Sequence, residues 1–168
     1  MRVIGVNLSA SSEEGTGVAE YEDGKIRTFT VYKDKEIVEV VDRFKPEIVA
    51  INAPLFNKDS KRSAEKELEA IGYTIDVSRS DSANRGAHIK YKLEGKSKLI
   101  ECDSELTKKS LAISDYSQLN NVRPMNIVKN EREKNAIISA ATAVFFKEDL
   151  YEQFGDDEEG YVILPKLK

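Results

Sequence analysis

Among 168 residues there is a single cysteine, Cys102. No disulfide can close within the chain, and this usage suits a reducing compartment such as the cytoplasm. Tryptophan is absent and His88 is the lone histidine. In RGAHIKYKL that histidine reads as a surface or loop residue, and strand alternation turns Cys102 toward the core, so a Cys–His nucleophile pair is not expected. No apolar stretch approaches membrane-spanning length. The opening MRVIGVNLS has a strand pattern with too little apolar content for a signal peptide. Excess positive charge is also missing. The formal net charge is −4, which argues against a surface dominated by attraction to nucleic acid but leaves room for a local basic groove. No repeat, low-complexity linker or composition break divides the chain, so residues 1–168 are expected to form one domain.

What is present is the balance of a soluble globular protein: 40% hydrophobic and 33% charged residues. Lys and Glu dominate the charges, a bias compatible with a thermophilic source. Residues 2 to 8 read as a buried strand. The segment GVAEYEDGKIRTFTVY reads as two strands joined by an Asp23-Gly24 turn. Ile37, Val38, Val41 and Phe44 then recur at helical spacing, with Asp34 as N-cap and Pro46 past the end. EIVAINAPL is a continuous apolar run typical of a strand buried on both faces. Residues 60 to 71 read as a helix closed by Gly72. Residues 73 to 97 are polar and basic without a clean period, an irregular excursion with room for a short helix. A short strand at 98–102, a helix capped by Ser104, a polar connection over 113–126, a helix over 131–146 and a final strand YVIL complete the order, with Gly155-Asp156 as the turn before that last strand. Three leading strands followed by strand–helix units predict an α/β fold with a mixed sheet, an antiparallel opening meander and flanking helices.

Asn7, Asn52 and Glu101 share one position in this pattern. Each closes or nearly closes an otherwise apolar strand, at the carboxyl end where open α/β sheets bind ligands. Asn135 opens the apolar face of the long helix and is placed to lean over the same crevice, with Glu131 one turn away. Taken one at a time, each has an ordinary structural reading, since Asn favours strand ends and turns by bonding to nearby backbone. The combination is what points to a site.

The segments GVNLSAS, VAINAPL, LIECDSELTKKSL, EREKNAIISAATAVFF and GDDEEGYVILP resemble domain-of-unknown-function family 429, over almost the whole chain and in the same order. That resemblance implies a ribonuclease H-like three-layer fold and nuclease activity. More distantly, the layout is similar to the Holliday-junction resolvases of the same superfamily. The family's Gly-Ile-Asp matches a segment ending at Asn7, and its Ile-Asp-Ala-Pro matches Ile51-Asn52-Ala53-Pro54. An acid on a following strand matches Glu101, and His-x-x-Asp-Ala matches Arg132 to Ala136, with Asn135 at the Asp position. Three expected acids are therefore Asn, and the helical His is Arg132.

Nucleases of this superfamily resemble one another in using two divalent ions, about 3.5–4 Å apart. Clustered carboxylates offset the repulsion between such ions, and an Asn amide oxygen brings no charge. The resemblance thus implies a catalytically impaired nuclease with relict positions Asn7, Asn52, Glu101 and Asn135. Glu101 is the expected ligand for one weakly held Mg²⁺ or Mn²⁺, with Asp103 beside it. The competing reading is a non-catalytic binding or scaffolding module for a nucleotide, a nucleic acid or a protein partner. In that reading a nearly neutral, amide-lined pocket attracts an anion through Arg132, Arg79 or Lys90. The basic stretch Lys90 to Lys98 reads chiefly as a solvated face, with phosphate contact as the alternative. Gly15-Thr16-Gly17 is similar to the phosphate loop of actin-like kinases, but those need two such domains. No membrane partner is expected, and the sequence carries no signal for oligomeric state.

Overall fold

The computed structural model describes residues 1–120 and 122–168, with Val77 described by its backbone alone. The chain opens with the expected meander: β1 (Arg2–Asn7), β2 (Thr16–Glu22) and β3 (Lys25–Val31), with β2 antiparallel to both neighbours. After α1 (Asp34–Phe44), β4 (Ile48–Asn52) returns parallel to β1. Two helices, α2 (Ser63–Ala70) and α3 (Ala83–Leu93), precede β5 (Lys98–Cys102), which is parallel to β4. Then come α4 (Ser104–Ser110), a two-residue β6 (Arg123–Pro124), α5 (Glu131–Lys147) and the hairpin of β7 (Tyr151–Asp156) and β8 (Gly160–Pro165). Among the described residues, eight strands form one sheet in the order β6-β3-β2-β1-β4-β5-β8-β7.

Alternation along the strands sorts the core onto two faces. Ile4, Val6, Val49 and Ile51 pack with Ile37 and Val41 of α1 and Ile89 and Leu93 of α3. Val3, Ile48, Ala50, Ile100 and Cys102 pack with Ala136, Ile137, Ala140 and Ala143 of α5. This is the expected three-layer arrangement, helices on both faces of a mixed sheet. α5 lies unusually close to the meander. A Cβ at Gly5 would stand 2.0 Å from the Ala136 carbonyl oxygen, and one at Gly17 would stand 2.1 Å from that of Arg132. Both obstacles are backbone, so glycine at 5 and 17 sets the depth of α5 and carries Asn135 over the end of β1.

Three sequence expectations change. The excursion over 73–97 contains an eleven-residue helix, α3, whose buried face combines Ala83, Gly86, Ile89 and Leu93 with the charged Arg85. The buried arginine hid the apolar period. The Gly155-Asp156 turn is the end of a six-residue strand, β7, and the turn falls just after it. Helix starts are displaced: Asp103 rather than Ser104 caps α4, accepting from the Leu106 amide at 3.0 Å, and Lys33 precedes α1 while Asp34 lies inside it.

Candidate functional site

The Ser-rich turn after β1 is organised around a buried cation. The Arg85 guanidinium donates to Ser9 Oγ at 2.7 Å, to the carbonyls of Ser9, Ser11 and Tyr32, and to Asp34 Oδ1 at 2.8 Å. Thr16 is fully buried and its hydroxyl accepts from the Ser9 amide. The oxygens of this loop face an internal guanidinium, so the loop is a strap holding β1 and β2 to α3.

That strap frames a cleft of about 460 Å³ at the carboxyl ends of β1 and β4, lined by Asn7, Asn52, Asn135, Ser104, Asp103 and Arg79 among others. Asn7 and Asn52 project toward the α5 face, because the residues before them, Val6 and Ile51, belong to the opposite core. Their amides are joined. The backbone N–H of Ser104 donates to Asn52 Oδ1 at 3.2 Å. A backbone amide can only donate, so Oδ1 must face it and Nδ2 must face the other way. Nδ2 donates to Asn7 Oδ1 at 2.6 Å and to Ser104 Oγ at 3.0 Å. Asn135 lines the same cleft from α5.

Glu101 is not brought to this cleft. Its neighbours Ile100 and Cys102 belong to the α5-facing core, so its own side chain emerges on the opposite face. The β4–β5 register pairs Asn52 with Cys102 and Ile51 with Glu101. There Glu101 is 3% exposed and enclosed by cations. Arg62 reaches its two oxygens at 2.5 and 2.9 Å, Arg79 approaches at 2.9 Å, and the Leu55 amide donates at 3.0 Å. Arg62 also binds Glu65 at 2.6 Å, and Arg79 Nε lies 3.1 Å from Asp103 Oδ2, too poorly aligned for a hydrogen bond. Burial works against both cations, but the surrounding carboxylates outweigh it and hold Arg62 and Arg79 more firmly protonated than ordinary guanidinium groups. Desolvation also opposes ionisation of Glu65, yet its hydrogen bonds to Arg62 prevail and its pKa lies below the usual carboxylate value.

The donors therefore do not fit a pair of divalent ions. Asn7 Oδ1 and Asn52 Oδ1 each accept from an N–H, and both Glu101 oxygens face guanidinium. Among the described residues no three His, Cys, Asp or Glu side chains are grouped to hold an ion. Cys102 is buried, and desolvation pushes its thiol up to about 12, so it is no thiolate nucleophile.

The expected neutrality of the cleft is also revised. Glu14, Asp76, Asp81, Asp103 and Glu105 line its rim. Several are engaged: Glu14 with Arg132 at 2.9 Å, Glu105 with Lys108 at 2.6 Å, and Asp76 as a cap for the Ser78 amide. Of the three expected anion-attracting cations, only Arg79 reaches the cleft, and its charge is committed to Glu101 and Asp103. Arg132 is tied to the Gly15 carbonyl and Glu14, and Lys90 lies over the Phe56 ring. His88 is exposed, 3.9 Å from Asp34. Of the cleft residues, Arg79 and Asp103 lie within the sequence expectation, one as an anion-attracting cation and the other beside Glu101, whereas Ser104 is expected only as a helix cap and joins the site unforeseen. The available signal was Asp-Ser at the strand-to-helix junction after Cys102, where a cap brings backbone N–H groups to a strand end.

No protein-family model matches the chain, and no curated protein matches it in sequence. Among solved structures it is similar to that of T. thermophilus RuvC in complex with Holliday junction substrate, at 14% identity and a TM-score of 0.53, over 89% of this chain and 96% of that one. The fold is ribonuclease H-like. At that identity the likeness is one of architecture. No helix among the described residues is long and apolar enough to cross a membrane.

Proposed function

We propose that this chain is a divergent ribonuclease H-like scaffold, related to family 429, whose hydrolytic metal centre has been replaced by an amide lattice and which works as a binding module. The observation that carries the reading is the Asn52 Nδ2 to Asn7 Oδ1 hydrogen bond. Two carboxylates at these positions would repel until a cation came between them; an amide donor and acceptor hold the same strand ends together without one. The relict positions are Asn7, Asn52 and Asn135. Glu101, the fourth position of the family pattern, serves as the anchor of an internal charge network.

The ligand of the cleft is a nucleotide or nucleic acid, recognised through sugar hydroxyls or base edges. An acidic rim disfavours phosphate at the floor, while Asn7 Nδ2 and the Asn135 amide make no hydrogen bond among the described residues and supply both donors and an acceptor. The structure of RuvC with a junction substrate supports nucleic acid as the ligand class for this architecture. Residues 1–168 act as one domain, and the buried thiol fits a cytoplasmic setting.

The test is binding of fluorescent single-stranded and branched DNA in EDTA, alongside cleavage of the same substrates in Mg²⁺ and Mn²⁺. The reading expects saturable metal-free binding, weakened by Asn135→Ala, and no cleavage. Metal-dependent cleavage abolished by Asn7→Ala would overturn it.

A further inference from the structure

A second cavity, of about 300 Å³, opens where the sheet is least complete. Among the described residues, β4 and β5 pair along five positions and β7 and β8 along six, but β5 and β8 pair only at Glu101 with Val162. The Lys98 N–H donates to the Glu47 carbonyl at 3.1 Å on the β4 side, while Leu99 beside it has no ladder partner from β8 among the described residues, and the gap forms a slot between the strands. Its walls are aromatic. Phe146 and Tyr151, with ring centroids 4.5 Å apart, line it together with Tyr161 and Phe56. Lys90 and Lys98 stand at its mouths, both exposed and in no ion pair among the described residues. The one carboxylate in the lining, Glu101, is neutralised by Arg62 and Arg79. The slot therefore presents π-faces, an unpaired strand edge and uncompensated positive charge.

We propose that this slot is a binding site for a planar heteroaromatic molecule carrying an anionic group, of the nucleoside-monophosphate class. The ring lies against Tyr161 and the Phe146–Tyr151 pair, its polar edge bonds to the open β5 backbone, and Lys98 or Lys90 holds the anion. Base stacking on aromatic side chains beside lysines is a general mode of nucleotide capture. The volume lies at the small end of ligand sites, roughly 300–1,000 Å³. A peptide strand is a poorer occupant, because the stretch of β5 edge left open before the Glu101–Val162 pair is too short for a ladder. The site is independent of the amide cleft, which lies at the carboxyl ends of β1 and β4.

The experiment is a heteronuclear NMR titration of the whole protein with adenosine 5′-monophosphate, adenosine and inorganic phosphate. The proposal expects saturable shifts centred on residues 98–100, 151–153 and 160–163, with Kd of about 1 mM or tighter. Adenosine should bind several-fold more weakly and phosphate alone should not saturate. The Lys90→Ala/Lys98→Ala double variant, two exposed changes that leave the core intact, should weaken the monophosphate at least about fivefold, and Lys25→Ala, an exposed cation on β3 at the far side of the sheet, should leave it unchanged. Absence of saturable shifts at these residues, equal binding by the double variant, or loss of binding in Lys25→Ala would each overturn the proposal. None of these outcomes bears on whether the amide cleft binds DNA.

Discussion

The side-chain amide of Asn52 donates to Asn7 Oδ1 across the ends of two parallel strands, at 2.6 Å. The bond is fixed in sense by the Ser104 backbone amide on the other side of Asn52. In the single Asn52→Asp variant Asn7 can turn its own amide to donate Nδ2, so the test is Asp at both positions, where acceptor faces acceptor. Asn7→Asp/Asn52→Asp should lose about 1–3 kcal/mol at neutral pH without metal, the usual cost of an unsatisfied hydrogen bond. The deficit should narrow in acid, where one protonated carboxyl can donate to the other. Urea unfolding at several pH values checks both. Restoring Asp at 7, 52 and 135 together should lower the metal-free Tm further. A rise would mean that the three positions do not repel and are not clustered.

Glu101 supplies the counter-charge for two buried guanidinium groups. Glu101→Gln should cost about 3–5 kcal/mol, the scale for breaking a buried pair from one side. An open metal ligand would behave differently: its amide variant would keep or gain stability without metal. Chemical denaturation distinguishes the two.

The network also sets an acid limit. Glu65 has a folded pKa below its unfolded value, so its contribution is complete above about pH 4.3, the ordinary value. It is lost as the pH falls through the lower folded pKa. Urea midpoints measured from pH 7 to pH 3 should fall in acid, and Glu65→Gln should flatten that fall.

Cys102 should resist alkylation in the folded protein at pH 8, because burial keeps it a thiol. Labelling should track unfolding in urea. Rapid modification under native conditions would contradict its place beneath α5.

Much of this architecture can be read from the chain because its signals are local. The apolar run VAIN, the Asp23-Gly24 hairpin and the helical period of α5 each specify an element from a few neighbouring residues. α3 escapes because Arg85 occupies a core position whose partners, Ser9, Ser11 and Asp34, lie far away in sequence. β7 escapes because YEQFGD is an edge strand with little apolar content. At the site, the grouping of Asn7, Asn52 and Asn135 follows from strand ends and helix phase. The position of Glu101 does not, because it depends on the register of β5 against β4. Pairing Asn52 with Cys102 sends Glu101 to the other face, and only the folded sheet displays that register.

The central claim, that the amide lattice replaces a two-ion centre, is tested most directly by calorimetric titration of Mn²⁺ into the native protein. The Asn7→Asp/Asn52→Asp/Asn135→Asp triple variant is titrated beside it. The account predicts no saturable heat for the native protein and binding in the variant, where three negative charges return to the cleft. Tight Mn²⁺ binding by the native protein, abolished by Asn7→Ala or Glu101→Gln, would contradict it.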